Sequence, residues 1–340
     1  MTRTWLAAPV SFAAGVLLAA CASHASGTSS DDAATATPPS CKATGPGVTG
    51  CGPTADSCCT TLGVPKGTFD RSYDGVSTNG ASDAFPASVS AFSLDKYEVT
   101  VGRYRAFVAA EVAGWRPAAG SGKHAYLTGG GLNDGKEPGW EASWSANLAS
   151  TSADWASNLA CTPKTATWTD EAGADDDKPI NCVSWYEAYA FCIWDGGFLP
   201  SEAEWNYAAS GGSDQRVYPW SSPPHSIALD CDLANYSVSW PTGACIASGA
   251  TKVGAESPMG DGKWGQSDLA GNVFEWNLDS YASPYASSCS DCANVAKADY
   301  RVIRGGSFDG ASACLLDALR ETSVPEGRSD GIGVRCGRAP

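Results

Sequence analysis

The stretch from Asn181 to Gly212, NCVSWYEAYAFCIWDGGFLPSEAEWNYAASGG, leaves the chain little choice of local structure. It holds two helix starts of one kind. Ser184 with Glu187, and Ser201 with Glu204, have the S-x-x-E spacing of a capping box. The serine oxygen accepts an N–H that a helix start leaves unpaired, and the glutamate reaches back to the cap. The spacing predicts one helix over about Trp185–Trp194, stopped at Gly196-Gly197 by a left-handed residue. Pro200 fixes the approach to the second cap. Trp185, Tyr186, Tyr189, Phe191, Trp194, Trp205 and Tyr207 supply more flat surface than an exposed helix can carry, so the two short helices are expected to pack together as architecture rather than as a reactive site.

The rest of the composition suits a coil-rich, exported chain. With 340 residues, 43% hydrophobic, there is enough apolar surface for a substantial core, whereas 38 Gly, 20 Pro and only 17% charged residues favour turns over long helices. A net charge of −15 without any Lys/Arg run excludes a nucleic-acid partner, which needs a basic face. Fourteen cysteines without paired C-x-x-C zinc spacing point to disulfides in an oxidising compartment.

The N-terminus specifies the route. Arg3 precedes an apolar run, Trp5 to Ala20, too short for an ordinary spanning helix. The run ends Leu18-Ala19-Ala20-Cys21, which resembles a bacterial lipobox. Residues 1–20 are therefore read as a lipoprotein signal peptide and Cys21 as the lipidated residue, anchoring the protein at the cell envelope, with outer-membrane sorting implied by Ala22. Residues 21–62 are read as a polar linker and a small cysteine-rich segment. Its Cys41, Cys51, Cys58 and Cys59 allow three pairings, and adjacent Cys58-Cys59 favours two separate bridges. The main domain is placed at 63–340.

Within that domain VPKGTFDRSYDG reads as strand and turn, and Phe92 to Ala110 as a strand running into a helix capped by Thr100, with Tyr104, Phe107 and Val108 on its buried face. A loop-rich insertion follows over about Gly114–Pro179. Its Asp175-Asp176-Asp177 run is read as a solvated turn, with calcium as the other reading.

Four strings in order, EVTVGRYRAFV, the Asn181–Gly212 stretch, DLAGNVFEW and RVIRGGSF…GIGVRC, resemble the formylglycine-generating enzyme (sulfatase-modifying factor) family. The resemblance covers about Val64–Arg338. It implies an α+β fold related to C-type lectins, with short helices, small antiparallel sheets and much coil. Active members oxidise a sulfatase cysteine with copper(I) and oxygen through two cysteines, five and ten positions after the first glycine of G-G-S. Here those positions are Gly310 and Leu315, and Cys314 is displaced by one. Copper(I) needs two soft ligands and the thiols must also exchange, so the oxidase reaction is expected to be absent. The three-histidine iron site of the sulfoxide synthases cannot be assembled either, because His24 lies in the linker and only His124 and His225 remain.

Two features carry over from the resemblance. The family's calcium string matches Asp268, Gly271, Val273 and Glu275, which implies a structural calcium. The family's bridge implies Cys192 with Cys336. Cys161 with Cys182 and Cys289 with Cys292 are further expected pairs, and Cys231 and Cys245 bracket a loop where a disulfide would replace a second ion. Setting Cys21 aside leaves thirteen cysteines, with Cys314 as the unpaired thiol. The functional expectation is a cell-surface binding or structural module for a protein, peptide or glycan ligand. Arg304, Phe308, Arg320 and Arg335 are its candidate contacts, although Arg304 and Arg335 read more readily as buried framework. The alternative is a formylglycine-generating-type oxidase using Cys314 and copper.

Overall fold

In a computed structural model the described residues are 37–76, 85–127, 137–237, 248–285 and 289–340. They fall in one compact unit, Thr37–Pro340. Cys21 and Cys245 lie outside the described residues. The cysteine-rich segment therefore packs with the domain that was expected to begin at residue 63.

The elements are short. Strands β1 (Thr49–Cys51), β2 (Asp56–Ser57), β3 (Thr61–Val64), β4 (Gly67–Asp70), β5 (Pro86–Val89) and β6 (Phe92–Asp95) precede helix α1 (Val101–Val112). Helices α2 (Ser152–Leu159), α3 (Trp185–Trp194) and α4 (Glu202–Ala209) follow. The chain closes with β7 (Phe274–Ser280), β8 (Cys289–Ser290), β9 (Arg301–Arg304), β10 (Glu321–Ser323), β11 (Ile332–Gly333) and β12 (Gly337–Arg338). Four sheets result, in the orders β1-β2, β10-β9-β7-β11, β12-β6-β3 and β4-β5-β8. The expected small antiparallel sheets are present, but β11 with β7 and β5 with β8 pair in parallel, so the sheets are mixed. Parallel neighbours need long crossovers, which only the folded chain reveals.

The helices start where local chemistry places them. Both capping boxes form: the oxygens of Ser184 and Ser201 accept from Glu187 N and Glu204 N, and each glutamate accepts from its cap's N–H. Thr100 caps α1 by accepting from Arg103 N. Gly196, at φ +79°, ends α3. Helix α2 was not foreseen, yet Thr151 accepts from Asp154 N in a T-x-x-D start of the same type.

Helices α1 and α3 meet over an aromatic core. Tyr104 stacks on Phe191 at 5.4 Å, and Phe107 sets its edge to Phe191 and Trp155. Beside this core lies a closed square of charge. Arg103 contacts Asp95 (2.9 Å) and Asp195 (2.7 Å), and Arg338 contacts Asp95 (3.0 Å) and Asp195 (2.7 Å). The square joins β6, α1, the end of α3 and β12. Ser40 N donates to Asp195 and Ser40 Oγ accepts from Arg103 Nε, so the cysteine-rich segment is tied into the same network. Pairing of this kind offsets much of the cost of burying the charges.

Five disulfides join described cysteines. Cys41–Cys59 and Cys51–Cys58 resolve the open pairing of the N-terminal four, and Cys161–Cys182, Cys289–Cys292 and Cys192–Cys336 form as expected. Cys231 is also disulfide-bonded. Cys314 is the free thiol among the described cysteines. This bridging belongs to an oxidising, extracytoplasmic compartment. Among the described residues no helix is long and apolar enough to cross a membrane.

Candidate functional site

The site is the turn that leaves β9. Strands β7 and β9 pair with Glu275 opposite Arg304 and Trp276 opposite Ile303. Gly305 (φ +101°) and Gly306 (φ +81°) then turn the chain through a region closed to other residues. A Cβ at Gly306 would stand 2.8 Å from the Cys314 carbonyl oxygen, so the turn and the 312–315 segment are in direct contact. Ser307 Oγ donates to Asp309 at 2.6 Å, Phe308 N donates to Asn272 O, and Gly310 N returns to Ser307 O.

This packing decides the cysteine question in space rather than in register. A Cβ built on Gly310 would lie 3.4 Å from Cys314 Cβ, next to the Cβ–Cβ spacing of about 3.5–4.5 Å found in disulfides. Cys314 thus stands beside position 310 despite its one-residue displacement, while Leu315 is fully buried. Position 310 has no thiol to offer. Burial, then the carboxylates of Glu321 and Asp309, push the Cys314 thiol up, away from the thiolate that copper binding or exchange requires. A single thiol whose pKa is raised supplies one of the two soft ligands that copper(I) needs.

The residues expected to meet a ligand are placed mostly inside. Arg335 is completely buried and uses its guanidinium on Glu275 (2.7 Å) and on the carbonyls of Asp95, Lys96 and Ser267. Arg304, equally buried, donates to the carbonyls of Asp317 and Leu319 and to Ser72 Oγ, with its Nε 3.3 Å from Glu202 Oε1. Phe308 packs with Ala250 and Val273. Arg320 is partly exposed, but grips Glu202 with two N–H groups at 2.5 and 2.8 Å and lies over the Tyr285 ring. Arg304 and Arg335 therefore build the frame, because a side chain with no exposed surface cannot reach an outside partner.

Near Arg335 three carboxylates, Glu98, Asp268 and Glu275, are buried. Burial, then Asp268 and Glu275, hold Glu98 well above the usual carboxylate range, and burial pushes Asp268 up to about 6. One guanidinium against three carboxylates leaves negative charge that a hard divalent cation would offset. Glu275 also accepts from Trp205 Nε1 at 2.7 Å, so its oxygens are shared. The set fits calcium in charge and donor type: Asp268 and Glu275 would hold it by carboxylates, and Gly271 and Val273 by carbonyls. Among the described residues no three His, Cys, Asp or Glu side chains form a metal cage, and a set half made of carbonyls does not need one. Glu98 was missed in the sequence, where only its place in DKYEVT, between a strand and a helix cap, marked it.

The Asp175–Asp177 run is not the solvated turn expected, since Asp176 is buried, and each carboxylate has its own basic partner. Asp175 pairs with Lys178, Asp176 with Arg105 and Asp177 with Lys252. His124 is a packing residue, buried between Glu137 and Glu204 at 3.1 Å from each. His225 donates from Nδ1 to the carbonyl of Asp74, within the fold.

Such a coil-rich α+β domain, with an R-G-G-S turn packed on a β7–β9 pair, defines a class. Residues 51–340 match the sulfatase-modifying factor enzyme 1-like domain, and the chain belongs to that family. It is 34% identical over 176 residues to the inactive C-alpha-formylglycine-generating enzyme 2 of Bos taurus, covering 48% of this chain and 52% of that protein. It is 28% identical over 296 residues to the formylglycine-generating enzyme of Streptomyces coelicolor, covering 80% of this chain and 87% of that one. Among solved structures, PvdO from Pseudomonas aeruginosa shares the fold at a TM-score of 0.57 and 20% identity, covering 88% of this chain and all of that one.

Proposed function

We propose that this protein is a cell-envelope lipoprotein whose sulfatase-modifying-factor-like domain serves as a binding or structural module and does not carry out cysteine oxidation. The observation that carries the reading is Gly310 beside Cys314: the fold keeps the space for a thiol pair, and one member is a glycine. Burial and acidic neighbours push the remaining thiol's pKa up, away from thiolate. A relative whose name marks it as inactive agrees with a family that keeps this frame without the reaction. Cys21 would carry the lipid, and a structural calcium would be held by Asp268, Glu275 and the carbonyls of Gly271 and Val273.

The purified domain should take up no stoichiometric copper(I) and form no aldehyde on a sulfatase-type Cys-x-Pro-x-Arg peptide. Aldehyde formation that disappears in Cys314→Ala would establish the oxidase instead. Gly310→Cys sharpens the test: free thiols should fall from one to none under oxidising conditions as positions 310 and 314 bridge. Incorporation of a labelled fatty acid, lost in Cys21→Ser, checks the anchor. A melting temperature lowered by chelator and restored by calcium, with no such response in Asp268→Ala, checks the ion.

A further inference from the structure

Away from the Gly305–Cys314 turn lies a groove whose floor and rim differ in chemistry. It holds about 600 Å³ and is walled by three separate segments, 141–144, 295–301 and 324–326, together with Tyr186 of α3. The floor is apolar. Trp144 and Tyr186 are half-buried with their rings 6.0 Å apart, and Val324, 42% exposed, lines the same groove. An edge contact to Trp185 at 5.2 Å braces Trp144, so the ring is held in place before anything binds.

The rim is acidic, and each wall carries one exposed carboxylate: Glu141, Asp299 and Glu326. Among the described residues Glu141 and Asp299 have no ion-pair partner, and Glu326 accepts from Tyr186 OH at 3.3 Å. Two cations also line the groove. Lys297 is exposed and offsets one of the three charges. Arg301 is buried and engaged on Leu278 O and the Trp185 ring, and Asp279 and Glu141 already act on its charge. The exposed balance is negative, which draws cations and repels anions. Spacing then selects the kind of cation. Among the described residues no three His, Cys, Asp or Glu side chains converge on a metal position, so the three carboxylates do not share one ion. Separate positive charges along an apolar body are the matching form, because methylene stems lie on ring faces and ammonium groups gain from them. Three lysines on one face of an extended peptide need about five residues, at i, i+2 and i+4, more chain than this groove encloses.

We propose that this groove binds an aliphatic polyamine, with its methylene chain against Trp144, Tyr186 and Val324 and its ammonium groups donating to Glu141, Asp299 and Glu326. None of these residues belongs to the Gly305–Cys314 turn, so the assignment holds whether or not that turn oxidises cysteine.

Calorimetry and tryptophan fluorescence with spermidine, at constant calcium, test it against butylamine and a capped trilysine peptide of equal charge. Spermidine should bind saturably, with butylamine about tenfold weaker or more, because it brings a single charge to the rim. Glu141→Gln, Asp299→Asn and Glu326→Gln should each weaken spermidine by about threefold, the size of one exposed charge pair, at an unchanged melting temperature. Lys297→Gln should tighten it by about twofold. Asp170→Asn removes an exposed carboxylate that does not line the groove, and should leave the affinity as it was. An equal loss in Asp170→Asn would mean that net charge alone attracts the amine, and would overturn the proposal. So would no saturation at millimolar spermidine, butylamine binding as tightly, unchanged affinity in the three rim variants, or tighter binding of trilysine.

Discussion

The two ends of β9 carry the same residue type to opposite purposes. Arg304 sends its guanidinium into carbonyls, a serine oxygen and Glu202, closing the turn at residues 317–319 onto α4. Arg301, three residues earlier, is nearly as buried but among the described residues makes no direct ion pair; it donates to Leu278 O and lies over the Trp185 ring, with Asp279 and Glu141 acting on its charge from farther away. The difference shows that burial alone does not make an arginine structural. What counts is whether the fold supplies the counter-charge in direct contact. One four-residue strand thus carries a guanidinium in direct contact with a carboxylate and another held by a carbonyl and a ring.

The comparison can be broken most sharply by removing both arginines in turn. Arg304→Met should destabilise the domain by about 3–5 kcal/mol in denaturant unfolding, because Glu202 loses a buried partner and the Leu319 carbonyl loses its guanidinium donor, while Asp317 O keeps Asn206. Loss below about 1 kcal/mol would mean that Arg320 alone neutralises Glu202 and that the two ends are alike. Glu202→Gln should cost somewhat less, about 2–4 kcal/mol, since Arg304 retains its carbonyl contacts.

His124 gives a pH-dependent version of the same lesson. Burial opposes its charge, but Glu204 and Glu137 lift its pKa from the ordinary 6.5 to about 10. A folded pKa above the unfolded one gives stability that is fully present below about pH 6.5 and declines as pH rises toward 10. The melting temperature should therefore fall across that window, and His124→Gln should flatten the slope. An unchanged slope would show that other groups set it. The smallest effect is expected at Arg301→Met, within about 1 kcal/mol of the parent, because loss of the Trp185 contact and the Leu278 hydrogen bond is offset by relief of a charge that burial disfavours. A large loss there would place Arg301 with Arg304 as framework.

The sequence by itself determined what depends on neighbours a few residues apart. The bounds of α3, both capping boxes and the Thr100 cap follow from hydrogen bonds spanning three residues, and the chain forms them without outside help. Family strings extended this reach to the Cys192–Cys336 bridge, whose partners are 144 residues apart. The tertiary structure alone decided the rest. The nested pairing of Cys41, Cys51, Cys58 and Cys59 depends on which backbones approach, and composition is blind to that. The position of Cys314 beside Gly310 depends on how the glycine turn folds back, so a one-residue shift in register could not settle it. The contrast between Arg301 and Arg304 depends on where distant carboxylates come to rest. Local hydrogen bonds are written in short spacings, whereas charge balance in a core is a sum over residues that only folding brings together.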